Sequence, residues 1–570
     1  MDPHPPTEPD PIRPDLEPAD DTDAEGGQIS LLKKKRTALM VVAAVVVALS
    51  ATGAAAVRFM AGSDAKLLER VPATADVAFT VYLDPAAGQK MNLVRMVTAF
   101  PDAGSEQELR GQLNDVLDEA LAQAGLTHED LDWVGSQVVG FLDFEQGVDE
   151  PQGAVLVAVD DEEGARTAID ALVETSKDRG ESITIEDHDG VEVIVNGQEG
   201  GGAVALAGGV MILASGGDII DDVIGAEAGD SLAASPMFTE TVAELPEDHL
   251  AMAYVNVPGL LESLEEQIAA AEEQMTPARV AGIAGFSGSG PLNDAGIEGA
   301  AVSLSAEPDG FAIDAFASVD ASKLSDEQRA ALGSDHVNAL IDLVSADALG
   351  FGAQTGYDVQ IRQGLEDLAA ADPTMSTELE RLGITGPGGL ASILGPDLAF
   401  EVTPGTTLPV GGAVMVSTTD PAAMRVLMDR WARQLGEQLP GGGKWVEAEH
   451  SGVSYTYLDG PAELPVAYGV VDDVAVIAVS PDELTKIIER SQGGRGSIGE
   501  DATYTQAAVR VPTDDAVFFL NVDDIVAEIS KQLGAQVETE LDAVEPIATF
   551  TIGSSSDLEG MRGRVFVEIP

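Results

Sequence analysis

Cysteine is absent from the 570 residues. That removes disulfides, thiolate zinc sites, iron–sulfur clusters, cysteine nucleophiles and lipoprotein anchoring together. Any folded part must therefore hold itself by core burial alone. Aromatics make up only 4% of the chain, so its cores are filled by many small side chains rather than a few large ones. Basic residues are also scarce: 30 Lys and Arg stand against 98 Asp and Glu, a formal charge of −68. Phosphate backbones need clustered Lys and Arg, so nucleic acid is not an expected partner. The acidity suits solubility in salty or cation-rich surroundings, or a surface for cations or a basic partner. Either way, self-repulsion predicts stability that rises with ionic strength.

Against these absences stands one uncharged apolar run, Thr37 to Val57 (TALMVVAAVVVALSATGAAAV). About twenty residues at ~1.5 Å each cross the ~30 Å core of a bilayer. Lys33, Lys34, Lys35 and Arg36 precede it, and a basic cluster stays cytoplasmic and suits anionic headgroups. The amino terminus is expected inside the cell membrane and everything after Arg58 outside. Ala54-Ala55-Ala56 offers a rival reading as a signal-peptide cleavage site. The long charged start and the full length of the run favour an uncleaved single-pass anchor. Residues 1–36 are rich in Pro, Asp and Glu, which predicts a disordered cytoplasmic tail ending in the basic cluster.

Beyond the anchor the chain repeats itself. GAVLVAVDDEEGARTAIDALVE from Gly153 answers GAVMVSTTDPAAMRVLMDRWARQL from Gly412, each an apolar strand running into an amphipathic helix. GVEVIV from Gly190 matches GVSYTY from Gly452. SLAASPMFTETVAELP from Ser231 aligns without a gap on SIGEDATYTQAAVRVP from Ser497, which sets Phe238 on Tyr504. Each half opens on a strand (Val71, Val344) and closes on a Gly-preceded one (Gly310, Gly560). The pattern predicts two tandem α+β repeats, 65–325 and 326–570, each a mainly antiparallel sheet backed by helices on one face. The segment 258–275 reads as an amphipathic surface helix.

The basic-flanked anchor, the V-P-x-x-x-x-x-x-F opening strand at Val71, the Gly125-Leu126-Thr127 and Gly383-Ile384-Thr385 lead-ins and the closing strands resemble the bacterial membrane proteins grouped as domain of unknown function 3352. The resemblance runs from about Leu68 to Pro570. It implies an anchored extracytoplasmic protein and carries over no catalytic residue.

Motifs for chemistry are thin. No two of His4, His128, His188, His249, His336 and His450 stand three to five residues apart, so a local helical metal pair is missing. Asp160, Asp161, Glu162 and Glu163 gather four carboxylates before a helix. They are weak candidates for calcium, and they also complement the positive end of that helix. Asp187-His188-Asp189-Gly190 reads as a hairpin turn, Pro440–Lys444 as a flexible turn without a phosphate-loop pattern, and Gly285–Gly290 as a loop. No cofactor is implied. The expectation is a non-enzymatic envelope protein that binds another envelope component, with an extracytoplasmic carrier of an apolar ligand such as lipid as the alternative.

Overall fold

A computed structural model describes residues 67–100, 132–144, 151–198, 201–226, 230–261, 296–326, 329, 332, 336–371, 373–405, 410–438, 443–459, 466–533, 541 and 544–570. The apolar run 37–57, the tail, His4, His128, Gly125–Thr127 and Gly285–Gly290 lie outside them. So does most of 258–275, whose described part, 258–261, is helical. Among the described residues no helix is long and apolar enough to cross a membrane.

The first set of strands is β1 (Val77–Tyr82), β2 (Val134–Asp143), β3 (Gln152–Val159), β4 (Ile183–His188), β5 (Val191–Asn196), β6 (Ala203–Ala207), β7 (Val210–Ala214), β8 (Ala251–Asn256), β9 (Ile297–Glu307) and β10 (Gly310–Val319). Its helices are α1 (Ala87–Ala99), α2 (Glu162–Asp178), α3 (Gly217–Ala226) and α4 (Pro236–Val242). The second set is β11 (Gly350–Gln354), β12 (Leu394–Pro404), β13 (Val410–Thr418), β14 (Lys444–His450), β15 (Val453–Asp459), β16 (Ala467–Val471), β17 (Val474–Ala478), β18 (Ala516–Asn521), β19 (Thr549–Ser556) and β20 (Gly560–Glu568). With it come α5 (Tyr357–Ala371), α6 (Pro373–Leu382), α7 (Leu390–Ile393), α8 (Pro421–Gln438), α9 (Pro481–Ser491), α10 (Ala502–Ala508) and α11 (Val522–Leu533).

The fold is α+β, and every strand pairing is antiparallel. The first set runs β4-β5-β6-β7-β3-β2-β1-β8-β9-β10 across space. The second runs β14-β15-β16-β17-β13-β12-β11-β18-β19-β20 in the same order of pairing. Pairing of β10 with β20 joins them into one 20-stranded sheet. The likeness reaches details outside the strands. Pro72 bridges Ser231 as Ser345 bridges Ser497. Phe238 meets Tyr254 edge-on at 5.0 Å as Tyr504 meets Phe519 at 5.4 Å.

Helices cover both faces of the sheet, not one as the pattern predicted. On one face α3 and α4 bury Val139, Phe141, Leu156 and Ile212; on the other α2 buries Val138, Val157 and Met211. The second set repeats this, with α9 and α10 on Phe351, Ala399 and Val476, and α5 and α8 on Val416, Tyr468 and Ala475. Strands such as β2 and β3 are apolar at successive positions, and such strands need cover on both sides. Turn chemistry fixes the hairpins. Asp189 (φ 52°) with Gly190 (φ 87°), and Ser451 (φ 50°) with Gly452 (φ 84°), sit in the left-handed region that a tight two-residue hairpin turn requires.

Candidate functional site

The acidic group at Asp160–Glu163 has a structural occupation. Asp161 caps α2, its Oδ1 accepting from the Glu163 N–H at 3.1 Å, while Glu162 and Glu163 fill the first turn. The Asp160 N–H donates to the Trp133 carbonyl at 2.9 Å. Among the described residues no group of three or more His, Asp and Glu side chains is placed to hold a metal ion. The four described histidines are scattered: His188 lies 2.6 Å from Asp221, His336 2.8 Å from Asp397, His450 2.9 Å from Glu489, and His249 2.9 Å from the Pro246 carbonyl. They do not converge. Lys444 opens β14 as a strand residue, and Lys33–Arg36 lie outside the described residues.

What the structure does assemble is apolar. Strand register carries one row of side chains across nine neighbouring strands on the face shared by α1, α2, α5 and α8. In order these are Leu304, Ile313, Val565, Ile552 and Phe518, then Gly352, Phe400, Val414 and Ile477. At about 4.8 Å per strand the row is roughly 38 Å long. Six of its members are between 36% and 47% exposed, and Val302 and Val402 beside it on the same face are exposed as well. Isolated exposed apolar residues are ordinary, whereas a contiguous row marks an interaction surface.

The row dips at its centre into an open hollow of about 220 Å³, floored by Gly352, Leu398, Phe400, Phe518 and Ile552, with Gln354 and Ser554 at one side. Gly352 makes the dip, because a Cβ there would collide with the Phe400 ring. The first set uses the same device with the strands exchanged, Phe79 of β1 lying over Gly140 of β2. Phe400 and Phe518 tilt at 44° with centroids 6.3 Å apart. At the far end Tyr468 donates to Asp429 at 3.0 Å, and burial pushes its hydroxyl up to about 12, so it stays neutral. The hollow is below the usual 300–1,000 Å³ of enclosed small-molecule pockets, and it is open. It suits contact, not enclosure. No sequence signal singled out this row, whose members come from nine strands and alternate with equally apolar buried residues.

Fold and surface together define an α+β protein built on a single antiparallel sheet, with an exposed apolar row as its most distinctive feature. The chain belongs to the family described as "Protein of unknown function (DUF3352)", whose model matches residues 38–383. No curated protein matches it. Among solved structures, crystal form I of TP0453 is similar at 10% identity with a TM-score of 0.23, covering 45% of this chain and 80% of that one. Crystal form III gives 11% and 0.24, covering 48% and 88%. Likeness at that level carries nothing for fold or function.

Proposed function

We propose that this is a single-pass cell-envelope protein, non-enzymatic, whose duplicated extracytoplasmic part binds a partner along the apolar row. The row itself carries the reading: Phe400, Val414 and Ile477 stand exposed side by side on three neighbouring strands of a strongly acidic chain, and a contiguous apolar row of this kind marks an interaction surface. The identical pairing order of the two strand sets supports an origin by duplication. The run 37–57, with Lys33–Arg36 before it, supplies the anchor with the amino terminus inside. Nine residues, 58–66, separate that run from Leu67, so the fold hangs within about 35 Å of the membrane. A shallow open hollow favours surface binding over a closed carrier.

The test is photo-crosslinking in living cells from an unnatural residue at Phe400 or Val414, with Val509 on another face as control. A discrete adduct from the row and none from Val509 supports the reading. Indistinguishable products from all three contradict it.

A further inference from the structure

We infer that the edge of the sheet at β4 is a contact between two copies of this chain, joined strand to strand about a twofold axis at Ile185. The sheet ends in β4 and β14, each paired on one side only among the described residues. The Gly197 N–H donates to the Ser182 carbonyl at 2.7 Å, while the Asn196 N–H turns away to the Gly202 carbonyl. That phase aims the backbone N–H and carbonyl of Ile183, Ile185 and Asp187 outward. A row of backbone donors and acceptors is satisfied by another strand, not by an acyl chain or a helix. Thr184 through Asp187 are exposed, Ile185 at 65%, so none of the described residues covers this edge.

The two ends differ where duplication makes them equivalent. Alignment of Gly190 on Gly452 sets Ile185 on Glu447 and Asp187 on Glu449. Charge on an edge strand blocks edge-to-edge pairing, and two β14 strands centred on Glu447 would oppose Glu to Glu. On β4 the centre is apolar. Ile185 stands beside Ile194, and Ile194 beside Val204, on the face that α2 packs against, so this row stops at an open edge. A copy of β4 turned about Ile185 continues it. Ile185 then faces Ile185 of the second copy and Ile183 faces Asp187 both ways round, each pair exchanging its backbone hydrogen bonds. Thr184 faces Glu186, hydroxyl to carboxylate. No acid faces an acid directly, whereas an axis at Glu186 would oppose Glu to Glu. Glu186 meets its copy only diagonally, with His188 3.3 Å from it. The acidity of the whole chain opposes association, so the pairing strengthens with salt. This edge is separate from the apolar row, and the two readings stand or fall independently.

The chain lacks cysteine, so single cysteines report the register. The full chain in detergent is oxidised with copper–phenanthroline. Ile185→Cys should link into a dimer, because facing Cα atoms in this register lie about 5.5 Å apart, within disulfide reach. Ile183→Cys should link at least fivefold less, since its own copy lies four residues along the strand, ~13 Å away. Ile183→Cys with Asp187→Cys should restore the link, and Glu447→Cys on β14 should stay monomeric. On the unaltered chain, sedimentation equilibrium should find a dimer whose dissociation constant falls as salt is added. Ile185→Glu, which copies β14, should raise that constant at least tenfold while the melting curve of the dilute monomer stays the same. Equal linkage from Ile183→Cys, Ile185→Cys and Glu447→Cys would overturn the inference, as would a monomer at every concentration and salt. So would an Ile185→Glu chain that dimerises like the unaltered one, or capture of a different protein by Ile185→Cys in cells with no dimer formed.

Discussion

Asp314 and Arg564 are counterparts that meet each other. Each is the fifth residue of its strand, β10 from Gly310 and β20 from Gly560, and the antiparallel register sets them directly opposite, 3.3 Å apart. They mark the midpoint about which the two strand sets are related. Two first sets joined this way would oppose Asp to Asp, and two second sets Arg to Arg. The same asymmetry runs along the seam: Arg510 reaches Glu307 and Asp309, Arg564 reaches Glu307, and Arg562 reaches Glu244 at 2.9 Å. Arg562 and Arg510 also lie over Phe316 and Phe566, each 5.1 Å from the centroid. In a chain this acidic, three arginines on one side of a joint decide what it joins to.

Arg564→Asp places a third carboxylate beside Glu307 and Asp314. We expect a loss of about 2–4 kcal/mol, because a part-buried charge is left facing its own sign. Adding Asp314→Arg should recover at least half, read as a double-mutant cycle in denaturant unfolding. Additive losses would mean that the pair is not coupled.

A second natural comparison lies in the helix-side core. Arg490 Nη2 bonds the buried Glu401 at 3.0 Å and its Nε bonds the Leu343 carbonyl at 2.6 Å; Glu483, also buried, is held by Lys486 at 2.9 Å. Strand register and helix spacing place Phe141, Ile219 and Ala226 at the matching positions of the first set, all buried. Burial pushes the Glu401 carboxyl up, with Arg490 pulling against it. Arg490→Ala alone should cost about 3–5 kcal/mol by leaving Glu401 unpaired. Combining Glu401→Phe, Glu483→Ile and Arg490→Ala, which copies the first set's side chains, should remove most of that loss. Thermal unfolding of the two variants distinguishes an uncompensated charge from a plain packing defect.

The pH dependence follows from the same burial. Asp314, Glu401, Asp515 and Asp523 all have raised carboxyl pKa values, with burial the largest cause. A raised folded pKa means the folded state holds the proton more tightly, so stability is full below the unfolded value and lost as pH rises through the folded one. Asp320, held down by Ser322, and Glu378, held down by Arg381, act oppositely at lower pH. The melting temperature should therefore rise as pH falls from neutral toward the ordinary carboxylate range, then fall again once Asp320 and Glu378 take up protons below it. At pH 7 it should also rise with added salt. A flat or falling salt response contradicts the self-repulsion argument.

His188 offers a local check. Its hydrogen bonds to Asp221 and then Glu186 raise its pKa above 6.5, so the pair's contribution is present below that value and fades as pH rises through the folded one. An NMR titration should find the midpoint above 6.5, and Asp221→Asn should bring it down. An unmoved midpoint would show that the contact at 2.6 Å is not populated.

The topology has a clean assay because the chain lacks cysteine. In intact cells an impermeant maleimide should label Ser322→Cys and leave Asp2→Cys unlabelled. The reverse pattern contradicts an anchor with its amino terminus inside.

Much of the fold was legible because local chemistry carries it. Asp189-Gly190 announces its hairpin, Asp161 and Pro421 announce their helices, and the alignment of Phe238 on Tyr504 anticipates equivalent ring contacts on Tyr254 and Phe519. The joint at β10 and β20 was not legible, since the pairing of two closing strands 250 residues apart is a tertiary choice. Nor was cover on both faces, although apolar runs such as Gly153–Val159 signal it. The row escaped for a related reason: Val414 is exposed and Met415 buried, and both are apolar.

The most direct measurement is native mass spectrometry of the full chain lifted from its own membrane in a polymer disc without detergent. The unaltered protein should carry a bound mass beyond the surrounding lipid, and Ile477→Lys with Ile552→Lys, still folded by its melting curve, should lose it. The same mass retained by the variant, or no bound mass on either, would contradict the apolar row as the working surface.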